Sequence, residues 1–222
     1  MRALIIAASP SNNTKDLPGL AAEADLVVAA DGGSAVALIH GVRPDLVVGD
    51  MDSVAREVLD ALEKDAVELV HFPSHKDETD LELALLEAIQ RGADDITIVG
   101  ALGGRVDHTL GNIYLLTMPE LKGLRVRLVD GDEEVFVIRD EAEWRGRAGD
   151  TVSLIPLTRE VAGIETRGLE YPLRRESLFM GPGRGISNRM LGDVAGVSVA
   201  AGILLAVVTH HEEREDDLAG AV

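Results

Sequence analysis

Leu26-Val27-Val28-Ala29-Ala30-Asp31-Gly32-Gly33 is an apolar run that stops at an acid and two glycines. Leu46-Val47-Val48-Gly49-Asp50-Met51-Asp52-Ser53 repeats that arrangement twenty residues on. A continuous run of Val, Leu and Ala is the mark of a strand buried on both faces, as in a parallel sheet flanked by helices. Further runs of the kind lie on either side: Leu4-Ile5-Ile6-Ala7-Ala8 and Ile96-Thr97-Ile98-Val99, with Leu69-Val70-His71-Phe72 a weaker one. Between them, helical spacing predicts helices over 34–40, 54–64, 79–91 and 108–116. The third is the best marked, because Thr79-Asp80-Leu81-Glu82 has the form of a capping box and Leu81, Leu85, Ala88 and Ile89 share one face. Alternation of strands and helices predicts an N-terminal, Rossmann-like parallel α/β sheet domain over 1–130.

The pattern changes near Leu128. Short β-rich runs separated by Gly and Pro follow: Val135-Phe136-Val137-Ile138, Thr151-Val152-Ser153-Leu154-Ile155, Val197-Ser198-Val199 and Ile203-Leu204-Leu205-Ala206-Val207. Helical spacing is absent there, so a small antiparallel β-sandwich is expected over 131–211. Residues 212–222 open with Glu212-Glu213-Arg214-Glu215-Asp216-Asp217 and read as a disordered acidic tail.

Composition narrows the function. The net charge of -18 disfavours binding to bare nucleic acid, which such a surface repels. Cysteine is absent, which excludes disulfides and thiolate metal sites and suits a cytoplasmic setting. The run 3–8 is too short for a signal-peptide core and ends in the turn-like Ser9-Pro10-Ser11-Asn12-Asn13. The run 194–208 falls short of the roughly 20 residues of a spanning helix, so no membrane role is expected. With 3% aromatic residues, packing rests on Val, Leu, Ile and Ala, and Trp144 reads as a packing residue.

In open α/β sheets ligands bind beyond the carboxyl ends of the strands. Asp31-Gly32-Gly33, Gly49 to Ser53 and Gly100-Ala101-Leu102-Gly103-Gly104-Arg105-Val106-Asp107 all fall at such ends. In an extended segment Asp50 and Asp52 point to one side, and paired hard oxygens suit Mg²⁺. The competing reading is an Asx turn with a helix cap from Asp52 or Ser53. Asp80 in the first turn of a helix is also simply favourable to the helix dipole. Taken with Asp77, the three acids favour a metal or substrate role. Gly103 and Gly104 let backbone amides approach phosphate oxygens, and Arg105 offers them a planar cation. Asp107 is alternatively the cap of the next helix, on which His108 and Asn112 share a face.

These segments resemble the thiamine pyrophosphokinase family. Ala30 to Gly33 and Pro44 to Ser53 look like its opening motif, and Lys76-Asp77-Glu78-Thr79-Asp80 and Gly103 to Leu110 its next two. Ser153-Leu154-Ile155-Pro156-Leu157, Gly168-Leu169-Glu170-Tyr171-Pro172-Leu173 and Gly185-Ile186-Ser187-Asn188 are similar to its substrate-side motifs. The resemblance runs from about Asp25 to Val208. It implies transfer of pyrophosphate from ATP to thiamine with Mg²⁺, the sandwich serving thiamine binding and dimerisation in a homodimer with shared active sites. By the same resemblance Asp50, Asp52 and Asp80 handle Mg²⁺ and the reacting phosphates, with Asp107 a further catalytic candidate. Asp31, Gly32, Gly33, Asp77, Gly103, Gly104, Arg105 and Asn112 line the nucleotide. Tyr171, Ser187 and Asn188 lie near thiamine, although Tyr171 reads equally well as a sandwich-core residue. The departures are Met51 in place of Phe, Ser34-Ala35 in place of Ala-Asn, and Arg189 where an acid is common. The proton acceptor is Asp80 or Asp107. The rival functions are transfer to another alcohol, such as a hydroxymethyl pterin, and a non-catalytic nucleotide- or thiamine-binding module.

Overall fold

The computed structural model of the chain describes residues 1–9 and 16–211, so most of the expected turn after Ser9 and the acidic run from Glu212 lie outside the described residues. The chain folds as two compact units, Met1–Gly131 and a second beginning at Asp132.

The first unit is built on six strands: β1 (Arg2–Ile6), β2 (Leu26–Ala30), β3 (Leu46–Gly49), β4 (Glu68–His71), β5 (Asp95–Val99) and β6 (Arg125–Asp130). All pair in parallel, in the order β6-β5-β1-β2-β3-β4. The chain steps outward from β1 to β4, returns to the other side of β1 for β5, and continues to β6. That reversal makes the ends of β1 and β5 the switch point of the sheet. Both faces are covered, so β2 and β3 are buried at every residue.

Five helices connect the strands: α1 (Leu17–Glu23), α2 (Gly33–Ile39), α3 (Arg56–Lys64), α4 (Asp80–Gln90) and α5 (Val106–Leu115). The expected α4 is present, with Thr79 accepting from the Glu82 amide at 3.2 Å. Leu81, Leu83, Ala84, Leu85 and Ala88 are buried as it packs on β1, β2 and β3. At Gly33 a methyl group would stand 1.9 Å from the Ile6 carbonyl oxygen, so glycine lets α2 start against β1. Two expectations on caps are corrected. α3 begins at Arg56 after Ala55, so neither Asp52 nor Ser53 caps it. α5 begins at Val106, which puts Asp107 inside the first turn instead of at its cap.

The second unit has eight strands: β7 (Glu133–Ile138), β8 (Glu141–Arg145), β9 (Thr151–Pro156), β10 (Glu160–Arg167), β11 (Arg174–Phe179), β12 (Asn188–Arg189), β13 (Val194–Ser198) and β14 (Leu204–Thr209). They form antiparallel layers β12-β9-β14-β7 and β11-β10-β13-β8. β9 alternates half-buried and buried residues, with Val152, Leu154 and Pro156 inward. Val152 and Leu154 share a core with Leu204, Ala206 and Val208 of their own layer and Val161, Ile164, Leu178, Ala195 and Val197 of the other. Trp144 lies in this core, edge-on to Phe136 at 5.5 Å between ring centroids, as its packing role requires. Among the described residues no helix is long and apolar enough to cross a membrane.

Candidate active site

The chain leaving β2 turns sharply at Asp31, which is in the left-handed region at φ 42 and only 7% exposed. Its amide donates to the Val48 carbonyl at 2.8 Å, and its own carbonyl accepts from the amide and hydroxyl of Ser34. Ser34, fully buried, holds this turn. The Asp31 side chain is therefore aimed by its backbone, and its Oδ1 is buried without a hydrogen-bond partner. Burial pushes the Asp31 carboxyl above its usual value; a bond with Ser53 opposes this, and the charges of Asp80 and Asp50 add to it. An ionised group in that position calls for a cation.

Beyond β3 the segment is not extended. Met51 adopts a left-handed conformation at φ 63 and buries its side chain with Ala29, Val47, Val54 and Leu62. Such a conformation costs roughly 1–2 kcal/mol in a non-glycine residue, which burial of a methionine offsets. Turning Met51 inward leaves Asp50 and Asp52 on the outside together. Asp50 Oδ1 accepts from the Asp52 amide at 3.1 Å, so the Asx turn is real, and Ser53 Oγ donates to Asp52 Oδ1 at 3.0 Å. The Asp50 carboxyl is lowered chiefly by that Asp52 amide, with Ser74 and Lys76 assisting. Asp31, Asp50 and Asp52 each offer one oxygen within 4.8 Å of the others. The turn and the convergence of acids coexist.

Asp80 approaches from the first turn of α4. A methyl group at Gly49 would lie 2.9 Å from Asp31 Cβ and 3.3 Å from Asp80 Oδ1, so the missing side chain is what lets these acids close on one another. Asp80 Oδ1 is engaged by Lys76 Nζ at 2.8 Å. The three acids with oxygens close enough to share one ion are thus Asp31, Asp50 and Asp52, with Asp80 beside them on a lysine. Lys76 carries no role in the sequence reading. The available signal was a scarce lysine, one of 4 against 17 arginines, four residues before an aspartate. Asp77 is exposed in the turn leading to α4.

The loop after β5 is tied down at its base by the Ser9 amide on the Gly100 carbonyl at 2.8 Å and by Ser9 Oγ on the Leu102 carbonyl. Gly103 and Gly104 both have positive φ, at 79 and 69. Asn112 Nδ2 donates to the Ala101 carbonyl at 2.6 Å and Thr109 Oγ1 to the Gly103 carbonyl at 3.1 Å, so both side chains brace the loop from α5. Arg105 grips Asp107 with two bonds, of 3.1 and 2.5 Å, both side chains being exposed. The guanidinium holds the Asp107 carboxyl down to about 2.

In the second unit Tyr171 is 64% exposed, which removes it from the sandwich core. Asn188 is buried and its side chain spans the Tyr171 backbone, accepting from the Tyr171 amide at 3.0 Å and donating to the Tyr171 carbonyl at 2.8 Å. The same Oδ1 accepts from the Arg189 amide. Asn188 thereby positions the loop that presents Tyr171. Ser187 is left-handed at φ 60 and its amide donates to Ser153 Oγ at 3.1 Å.

Comparison with known proteins agrees with both units. The family model "Thiamin pyrophosphokinase, catalytic domain" matches residues 17–128, and "Thiamin pyrophosphokinase, vitamin B1 binding domain" matches residues 136–204. The chain is similar to the thiamine pyrophosphokinase of Bacillus subtilis, 32% identical over 206 residues that cover 91% of this chain and 96% of that protein. Thiamine pyrophosphokinase 1 of Oryza sativa is 30% identical over 63% of this chain and 56% of its own length. The crystal structure of the Bacillus subtilis protein superposes with a TM-score of 0.86 over 96% of this chain and 100% of that one, at 30% identity. The yeast enzyme, at 18% identity, shares the fold with a TM-score of 0.78 over 94% of this chain and 86% of its own. With one family model on each unit and a relative aligned along nearly all of both, the chain belongs to the thiamine pyrophosphokinase family.

Proposed function

We propose that the chain transfers the pyrophosphoryl group of ATP to the hydroxyl of thiamine, with Mg²⁺ held at Asp31, Asp50 and Asp52 and with Asp80 at the edge of the same site. The observation that carries the metal assignment is the buried Asp31 carboxylate, with Oδ1 unpartnered and one oxygen within 4.8 Å of oxygens of Asp50 and Asp52. Hard oxygens in small number suit Mg²⁺, which completes its shell with water and phosphate oxygens. When bound, the cation neutralises phosphate charge that the acids would otherwise repel.

The remaining work is positioning, as is general for phosphoryl-type transfers. Gly103 and Gly104 offer backbone amides to the nucleotide, with Asp31-Gly32-Gly33, Asp77 and Arg105 around it. Asn112 contributes by holding the loop. The hydroxyl oxygen of thiamine forms a bond to the β-phosphorus, and the bond from that phosphorus to the oxygen bridging the α-phosphate breaks. The bridging oxygen keeps the electron pair and leaves with AMP. The hydroxyl proton passes to a carboxylate. The candidates are Asp80 and Asp107, of which Asp107, held at about 2 by Arg105, is a weak acceptor. Tyr171 and Ser187 receive thiamine, with Asn188 setting the Tyr171 loop, and the family resemblance supports a homodimer with shared sites.

The test is incubation with ATP, Mg²⁺ and either thiamine or a hydroxymethyl pterin. AMP equal in amount to thiamine pyrophosphate is expected, with no turnover in excess chelator. ADP with thiamine monophosphate, or turnover only with the pterin, overturns the assignment. For the shared site, Asp52→Ala and Ser187→Ala subunits, each inactive alone, are mixed. Recovery of about a quarter of native activity is expected from dimers carrying one intact site. Parental activity in a proven mixed dimer refutes sharing.

A further inference from the structure

Lys76 stands where an ordinary helix would not put a cation. It precedes α4, whose N-terminus carries the positive end of the helix dipole and disfavours a further positive charge. Its side chain is 11% exposed, and an ammonium withdrawn from water to that degree is costly unless paired. The pairing is with Asp80, at 2.8 Å, and the charges of Asp50 and Asp31 act on the same ammonium. A positive charge therefore lies against Asp80 in the field of Asp31 and Asp50. These are the acids, and the place, at which a divalent cation is proposed to bind.

We propose that Lys76 is the resident counter-ion of this acid cluster, displaced from Asp80 when a divalent cation binds and then turned onto a phosphate of the nucleotide. The inference rests on the function proposed above. The ion carries twice the charge and binds acids whose charges also act on the ammonium. Once it neutralises Asp31 and Asp50, the ammonium keeps only its pairing with Asp80, and its hold there weakens. Its flexible four-carbon stem then lets it reach acceptors nearby, and a triphosphate supplies them. A lysine suits this better than an arginine, whose planar fork fixes it to one carboxylate. The chain uses lysine here although arginines outnumber lysines 17 to 4.

The small number of lysines makes the test direct. In the native protein, acylation of each lysine is followed by mass spectrometry, with the exposed Lys64 and Lys122 as internal references. Lys76 is expected to react slowly without metal, several-fold faster with Mg²⁺ alone, and slowly again with Mg²⁺ plus a non-hydrolysable ATP analogue. Equal protection with and without Mg²⁺ overturns the displacement. Unchanged reactivity on adding the nucleotide overturns the transfer to phosphate. Lys76→Met gives a second reading, since it keeps the stem and removes the charge. Mn²⁺ titrated without nucleotide should bind about tenfold tighter, as expected when a competing charge in a partly buried site is removed. Turnover should fall by at least tenfold. Loss of metal affinity together with turnover, or native values of both, marks a merely structural lysine. If that variant does not fold, the labelling of the native chain decides. Absence of any AMP from native protein would instead defeat the parent reading, which the labelling pattern does not test.

Discussion

Among the described residues two aspartates are buried, one in each unit, and their surroundings are opposite. Asp150 is 1% exposed, and both its oxygens are filled: Oδ2 accepts from the Arg147 amide at 2.9 Å and from His210 Nδ1 at 2.8 Å, and Oδ1 from the His211 amide at 3.0 Å. Burial is the largest influence on it and pushes its carboxyl up, but those bonds together outweigh it and hold the carboxyl below its usual value. Asp31 is 7% exposed, one of its oxygens has no partner, and burial prevails. Burial alone does not separate a scaffold acid from a site acid. What separates them is whether the fold itself supplies the donors.

The largest effect expected from this contrast lies in the exposed part of the acid cluster. Asp52→Asn keeps the size of the side chain and its contact with Ser53 but weakens the metal site. Turnover should fall by more than the roughly hundredfold typical of losing an outer-shell partner, with unfolding free energy changed by no more than about 1 kcal/mol. AMP release and urea unfolding measure the two. Near-native turnover would remove Asp52 from the metal site.

Asp150→Asn should do the reverse. An amide nitrogen in place of one acceptor oxygen faces a donor, so the folded state should lose about 2–4 kcal/mol while the folded fraction turns over normally. The pH dependence separates the two acids further. Asp150 is depressed in the fold, so its contribution is complete above the unfolded value of about 3.9 and is lost as pH falls from there through its folded value. Asp31 is raised, so its penalty is complete above the folded value and disappears as pH falls toward about 3.9. Urea unfolding of Asp31→Asn and Asp150→Asn against pH should therefore diverge from native in opposite senses. Parallel curves would show that the two environments are alike.

In the second unit Asn188→Ala removes the clamp on Tyr171. Stability should drop by about 1–3 kcal/mol, the range for unpaired buried backbone groups, and the KM for thiamine should rise more than kcat falls. An unchanged KM would detach the Tyr171 loop from substrate binding. The smallest shift is expected from Asp31→Asn in metal-free protein at neutral pH. Removing a desolvated charge should stabilise the fold by about 1 kcal/mol or less, even as activity is lost. Destabilisation would mean that the bond with Ser53 outweighs the burial of the Asp31 charge.

The parts of the fold legible in the sequence are its apolar runs, which in the second unit mark β7, β9, β13 and β14. β1, β2, β3 and β5 stand out as continuous apolar runs because both faces of that sheet are covered. β6, with the sequence Arg-Val-Arg-Leu-Val-Asp, and β8, β10 and β11, each with several charged residues, escaped notice. A strand with one wet face dilutes its apolar signal to every second residue, and the bulges in β10 break even that period. The short helix α1 also went unread, having no charged residue in its first turn and only one fully buried side chain.

By itself the sequence determined the α/β-then-β order of the chain, the placing of Asp31, Asp50, Asp52 and the Gly103 loop at strand ends, and the family resemblance. The first two follow from local composition and spacing, and the resemblance rests on motifs met in order along the chain. Only the tertiary structure decided that Met51 turns inward so that Asp50 and Asp52 meet Asp31, and that Lys76 closes on Asp80. It also decided that Asn112 and Asn188 are braces and that Tyr171 faces solvent. The physical reason is that a carboxylate's role depends on which donors reach it. Asp31 and Asp50 are nineteen positions apart, and they approach because Gly49 lacks a side chain and Met51 accepts a left-handed turn. Neither feature leaves a periodic trace in the chain, since each is set by packing against residues distant in sequence.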